Sequence, residues 1–160
     1  MAALDVQKLV RVLWNSLYIA CCNIFGDEKV FSRDRKTIGM ELDIVVPEYK
    51  FAIEPGNWFL HKKSLNRDSM KRHKCQEKGY RLFTIYDKYP SDLKPPFDDD
   101  CYVFDEDLNM ADHSIIRSLI FEIFNSVGVK YEPTAFNWSD LEAYAYDSAK
   151  AMTHEDFVAE

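Results

Sequence analysis

Apolar side chains recur at Leu4, Leu9, Leu13 and Leu17 and at Val6, Val10 and Trp14, overlapping stripes that predict a helix over residues 4–24. Gly26-Asp27 ends it. Lys29 to Arg33 predicts a short strand, followed by the polar run Arg33-Asp34-Arg35-Lys36. Glu41-Leu42-Asp43-Ile44-Val45-Val46 and Phe51-Ala52-Ile53-Glu54 flank Pro47-Glu48-Tyr49-Lys50 and read as a hairpin around a Pro-initiated turn. Pro55-Gly56-Asn57 is expected to end its second strand. Residues 64–78 predict a basic amphipathic helix with Gly79 at its C′ position, and Tyr80 to Tyr86 a strand. Lys94 to Asp100 reads as a loop. Residues 112–127 predict a strong helix closed by Gly128, and Ser139 opens another over 140–150. Thr153-His154-Glu155-Asp156 has the pattern of a helix start. Strand, strand, helix, strand is a mixed α/β order, so a mixed β-sheet flanked by helices is expected.

With 160 residues, 47% of them hydrophobic and 14% aromatic, the chain can bury a substantial core and is expected to form one domain. Its core is placed at 29–87 and a helical, acidic part at 108–160. No run approaches the length of a membrane-spanning helix, and charges interrupt the N-terminal segment in a way no signal peptide tolerates. Cys21, Cys22, Cys75 and Cys101 lack metal or disulfide-framework spacing. The expectation is a cytoplasmic protein with reduced thiols and no membrane partner.

The net charge of −7 argues against a nucleic-acid partner until its distribution is read. Residues 1–91 hold 16 Lys and Arg against 11 Asp and Glu, whereas residues 92–160 hold 4 against 16. From His61 to Arg81 eight cations stand against only Asp68 and Glu77. Such a segment is either a solvated helix face or an anion-binding one.

The hairpin carries the most informative pattern. A turn centred on Glu48-Tyr49 pairs Val46 with Phe51 and sets Asp43 directly opposite Glu54. Opposed residues share a face, with Cβ atoms about 5 Å apart, and like charges there repel. A divalent cation between the carboxylates removes that penalty, and an all-oxygen set suits Mg²⁺ or Mn²⁺ rather than Zn²⁺. A register slip of one residue would instead send one acid to solvent. Farther on, His61 stands alone in a loop, and Asp68 and Lys71 have the i, i+3 spacing of a surface ion pair. No Walker-type glycine loop, GxGxxG or GxSxG is present.

The stretch from Ser32-Arg33-Asp34-Arg35 through Gly39, Glu41-Leu42-Asp43-Ile44, Pro47-Glu48 and Ala52-Ile53-Glu54 resembles the core of phage and mobile-element endonucleases of the PD-(D/E)XK superfamily. His61, Asp68, Lys71, Cys75 and Gly79 to Ile85 extend the likeness toward the branch of the very-short-patch-repair and EDxHD homing endonucleases. It covers about residues 32–87. Two positions depart from it. Gly56 stands where most relatives carry a Lys two residues after the Glu, and Asn15 or Ser16 stands where relatives place a Glu in the first helix.

The resemblance implies a restriction-endonuclease-like fold and metal-dependent hydrolysis of DNA inside a host cell. Asp43 and Glu54 would hold Mg²⁺ or Mn²⁺, His61 would act as base or orient the water, and Asp68 would support it. Lys71 or Lys74 would stabilise the developing phosphorane charge. Lys62, Lys63, Arg67, Arg72 and Lys74 would meet DNA phosphates. The two departures leave a second reading, a degenerate nuclease fold that binds DNA or a protein without cutting. A third is an acidic protein-interaction domain. Ala151 to Phe157 looks like the start of a further module of a longer chain.

Overall fold

A computed structural model describes residues 12–109, 113–131 and 138–139. The chain divides into two compact units. One is continuous, residues 25–107; the other combines the described residues before it with those from Leu108 onward. The sequence reading has a single domain, with the acidic helical part starting at 108. In this division the first helix belongs with the C-terminal part.

The continuous unit holds a five-stranded mixed sheet. Its strands are β1 (Phe31–Asp34), β2 (Leu42–Val46), β3 (Phe51–Asn57), β4 (Arg81–Asp87) and β5 (Cys101–Val103), side by side in chain order. The pairs β1–β2 and β2–β3 are antiparallel, and β3–β4 and β4–β5 are parallel. The reversal from β2 to β3 needs only a tight connection. A 3-10 turn over Pro47–Tyr49 supplies it, closed by Lys50 at φ 53°. The parallel pairing of β3 with β4 needs a long crossover, which α2 (Trp58–His61) and α3 (Leu65–Glu77) provide. Helix α3 ends at Gly79, φ 76°, where Tyr80 N–H donates to the Cys75 carbonyl at 2.8 Å and closes a Schellman-type cap.

Two expectations about the strands change. The second hairpin strand does not stop at Pro55 but runs to Asn57. By the hairpin register Pro55 faces Leu42, where β2 begins, so the missing proline N–H falls where that ladder ends. On its other side β3 stays paired with β4 as far as Asn57–Asp87. The other change is β5, three residues long and directly after the expected loop. A run that short carries no periodicity to read.

The discontinuous unit includes α1 (Val12–Phe25, up to Ile24) and α4 (His113–Ser126). Val12, Leu13, Leu17, Ala20 and Cys21 are buried on α1, and Ile116, Leu119, Ile120, Ile123 and Phe124 on α4. The Asn109 side-chain oxygen accepts the Leu13 N–H at 2.8 Å, satisfying one of the amides at the helix start. All four cysteines are free. No helix among the described residues is long and apolar enough to cross a membrane. The helix expected over 140–150 and the start expected at Thr153 lie outside the described residues, as does the beginning of the first helix.

Candidate active site

The hairpin register is the expected one: Val46 pairs with Phe51, Val45 with Ala52 and Ile44 with Ile53. Carried one step on, it sets Asp43 opposite Glu54. Side-chain alternation then sorts the sheet face under α3 into rows. Val45, Ala52 and Leu82 form an apolar row that packs against Cys75. Asp43, Glu54 and its β4 partner Thr84 form the next row. Gly56 and its partner Tyr86 form the third. The inner face of α3 changes in step, from Cys75 to Lys71 and Arg72 and then to Asp68. The site lies where this layer turns from apolar to polar.

Lys71 Nζ donates to Glu54 Oε1 at 2.7 Å, with the two side chains only 14% and 11% exposed. Asp43 is half-buried, and its carboxyl shares a hydrogen bond with Glu54. Burial and then the Asp43 charge push the Glu54 pKa well above the usual carboxylate range, against the opposing pull of Lys71. Two acids held together in this way have one negative charge more than the local cation neutralises.

His61 and Asp68 meet across the α2–α3 turn, with Nδ1 3.0 Å from Asp68 Oδ2. Tyr86 donates its hydroxyl to the same oxygen at 2.6 Å. Burial acts to raise the Asp68 pKa, but the hydrogen bonds from His61 and Tyr86 and the nearby positive charges outweigh it and hold the carboxyl below its ordinary value. On the far side of the ring lies Gly56. A Cβ built there would stand 2.5 Å from His61 Nε2 and 2.7 Å from Cδ2, so the imidazole occupies the space of a residue-56 side chain. Glu54, His61, Asp68 and Lys71 line one small pocket together with Leu82 and Thr84.

The structure thus brings together Asp43, Glu54, His61, Asp68 and Lys71. It does not pair Asp68 with Lys71, the arrangement their spacing allows, because each has a partner across the layer. The cations expected at DNA separate into two sets. Lys62, Lys63 and Arg67 are exposed, with Lys62 over the Phe59 ring at 4.5 Å, and Lys74 is half-buried. Arg72 instead points into the layer. It donates to the Leu82 carbonyl and Thr84 Oγ1, each at 2.9 Å, and to the Asp100 and Asp99 carbonyls. Phe97 stacks on it at 4.5 Å. These partners use the guanidinium to join α3, β4 and the loop before β5, an occupation different from the expected phosphate contact. Asn15 and Ser16, at the position of the relatives' helix Glu, are buried in the other unit.

The sequence reading has no role for Tyr86 or Thr84, two positions of an apparently ordinary strand. Their period-two spacing from Leu82 is the only signal for them, and it becomes legible once β4 is known to pair with β3.

The residues suit a divalent cation in donor type. Asp43 and Glu54 offer carboxylate oxygens from adjacent strands, and burial together with the Asp43 charge raises the Glu54 pKa. Among the described residues no three His, Cys, Asp or Glu side chains converge into a closed cage, so the remaining ligands would be water, backbone or phosphate oxygens. Searches against protein-family models, curated proteins and solved structures find no match for this chain.

Proposed function

We propose that this chain is a metal-dependent DNA endonuclease that hydrolyses phosphodiester bonds, of the kind found in phages and mobile elements. The observation that carries this reading is the opposed Asp43–Glu54 pair beside an imidazole whose Nδ1 is held by a carboxylate. Asp43 and Glu54 would hold Mg²⁺ or Mn²⁺ through oxygen, and the cation would supply Lewis-acid charge to the scissile phosphate and the attacking water. His61 takes the proton of the attacking water at Nε2, and Asp68 stabilises the imidazolium from Nδ1. Lys71 turns from Glu54 to the phosphoryl oxygens as negative charge develops there. Lys62, Lys63 and Arg67 grip flanking phosphates and set the position of the duplex without reading its sequence.

The test is supercoiled plasmid with Mg²⁺ or Mn²⁺, beside Glu54→Ala. Nicked or linear product from the parent alone supports the reading, and equal conversion by both, or by neither, overturns it. A second reading, a nuclease fold that binds DNA without cutting, is favoured by the buried Lys71–Glu54 ion pair, which meets one of the two acids without a metal. DNA binding with neither cleavage nor Mn²⁺ uptake would select it.

A further inference from the structure

Tyr86 is completely buried in β4, between β3 and β5, where it pairs with Gly56 on one side and Val103 on the other. Its ring stands edge-on to Trp58 at 5.2 Å and lies parallel to Tyr89 at 6.3 Å. His61 is less enclosed. It is the last residue of a one-turn helix, its side chain is 34% exposed, and Phe59 and Leu60 before it are 66% and 71% exposed. The two rings touch, with centroids 5.7 Å apart, and one oxygen joins the buried residue to the partly exposed one: Asp68 Oδ2 accepts from the Tyr86 hydroxyl and from His61 Nδ1.

We propose that Tyr86 is a positioning residue: by pinning Asp68 Oδ2 against His61 Nδ1, it keeps the neutral imidazole in the tautomer that leaves Nε2 bare beside Gly56. The catalytic consequence rests on the endonuclease reading, whereas the tautomer does not. An ionised carboxylate only accepts, so a ring held against it carries its proton on Nδ1. Asp68 also feels the charge of Lys71 one turn along α3, and without the tyrosine its carboxyl is free to rotate toward that ammonium. Cross-strand pairing of Tyr86 with Gly56 puts the phenol that steers the ring opposite the glycine that makes room for it. A buried phenol with a purely structural role also needs a hydrogen-bond partner, so the test must read His61 itself.

The experiment is nitrogen-15 NMR of histidine-labelled protein without metal, at a pH where the imidazole is neutral, for the parent and for Tyr86→Phe, which keeps the ring. The parent should show the Nδ1–H tautomer almost alone, and the variant a mixture of both. With plasmid and Mn²⁺ the variant should lose about tenfold in kcat with KM unchanged. A parent that is already mixed, a variant with the parent's tautomer, or a shifted tautomer with parental kcat each overturns the proposal. If the parent does not cut, the endonuclease reading fails and the spectra still decide the tautomer. Should Tyr86→Phe not fold, Asp68→Asn replaces the shared acceptor alone. An unchanged tautomer there overturns the proposal, which needs the shared oxygen to hold the proton on Nδ1.

Discussion

Helices α3 and α4 are nearly equal in length, 13 and 14 residues, and both end in a glycine with positive φ, yet they are held by different forces. Helix α4 buries five large apolar side chains on one face. On α3 only Cys75 is buried; Leu65 packs half-buried against Trp58, Tyr86 and Tyr89, and between them Asp68, Lys71 and Arg72 are each hydrogen-bonded to the strand layer or its loops. A helix held by apolar area tolerates small shifts, because the hydrophobic effect has no direction. A helix held by charged hydrogen bonds has its position fixed by distance and angle, and α3 has to present its side chains in one geometry.

The largest effect expected from breaking this contrast lies at the acids that α3 faces. Asp43→Ala or Glu54→Ala should abolish a calorimetric Mn²⁺ site and reduce plasmid cleavage by at least about 10³-fold. Mn²⁺ binding that persists in Asp43→Ala would remove that residue from the site. Next come His61→Ala and Gly56→Ala. Loss of a general base is expected to slow cleavage by about 10²–10⁴-fold while Mn²⁺ and DNA affinity hold. A methyl group at 56 should displace the ring and produce a loss of the same kind, whereas cleavage within a few-fold of the parent in both variants would return the role to the helix lysines.

Stability should separate the two helices. Ile120→Ala leaves a cavity under α4 and is expected to reduce unfolding free energy by about 2–5 kcal/mol in denaturant titrations. Arg72→Ala removes a cation shared among several acceptors and should lower it by about 2–3 kcal/mol. A smaller effect is pH-dependent. The folded-state pKa of Glu54 lies above its unfolded value, so its contribution is present in full below the ordinary carboxylate range and is lost as pH rises through the raised value. Metal-free protein should therefore melt at lower temperature as pH increases above about 4.5, and Mn²⁺ should restore the melting temperature only where Glu54 is ionised. Asp68 works in the opposite sense, its contribution fading only as pH falls below the usual range. Last, charge reversal at Lys62, Lys63 and Arg67 should flatten the salt dependence of DNA binding, since fewer counterions are released. An unchanged slope would put the DNA elsewhere.

The same contrast explains what the sequence could and could not convey. Helix α4 was legible because its apolar period is its structure. The hairpin register was legible because a four-residue turn between two β-rich runs leaves little freedom, and with it came the opposition of Asp43 to Glu54. Helix α3 was legible as an element, but its inner face was not: a charged residue at i+4 looks the same whether it meets water or a buried carboxylate. Arg72 therefore reads as a phosphate contact, whereas its acceptors here are the Thr84 hydroxyl and carbonyls distant in the chain. Tyr86 carries no such signal, because its partner Asp68 lies on α3 and reaches it through packing that no local pattern encodes.

The absent side chain at Gly56 also constrains how this chain can change over generations. Because the His61 ring fills the space of a residue-56 side chain, a lysine can enter there only if the histidine has already left or moved. Either substitution made first passes through a protein with a crowded site or with an empty one. A side chain at 56 and the present position of the His61 ring therefore exclude each other.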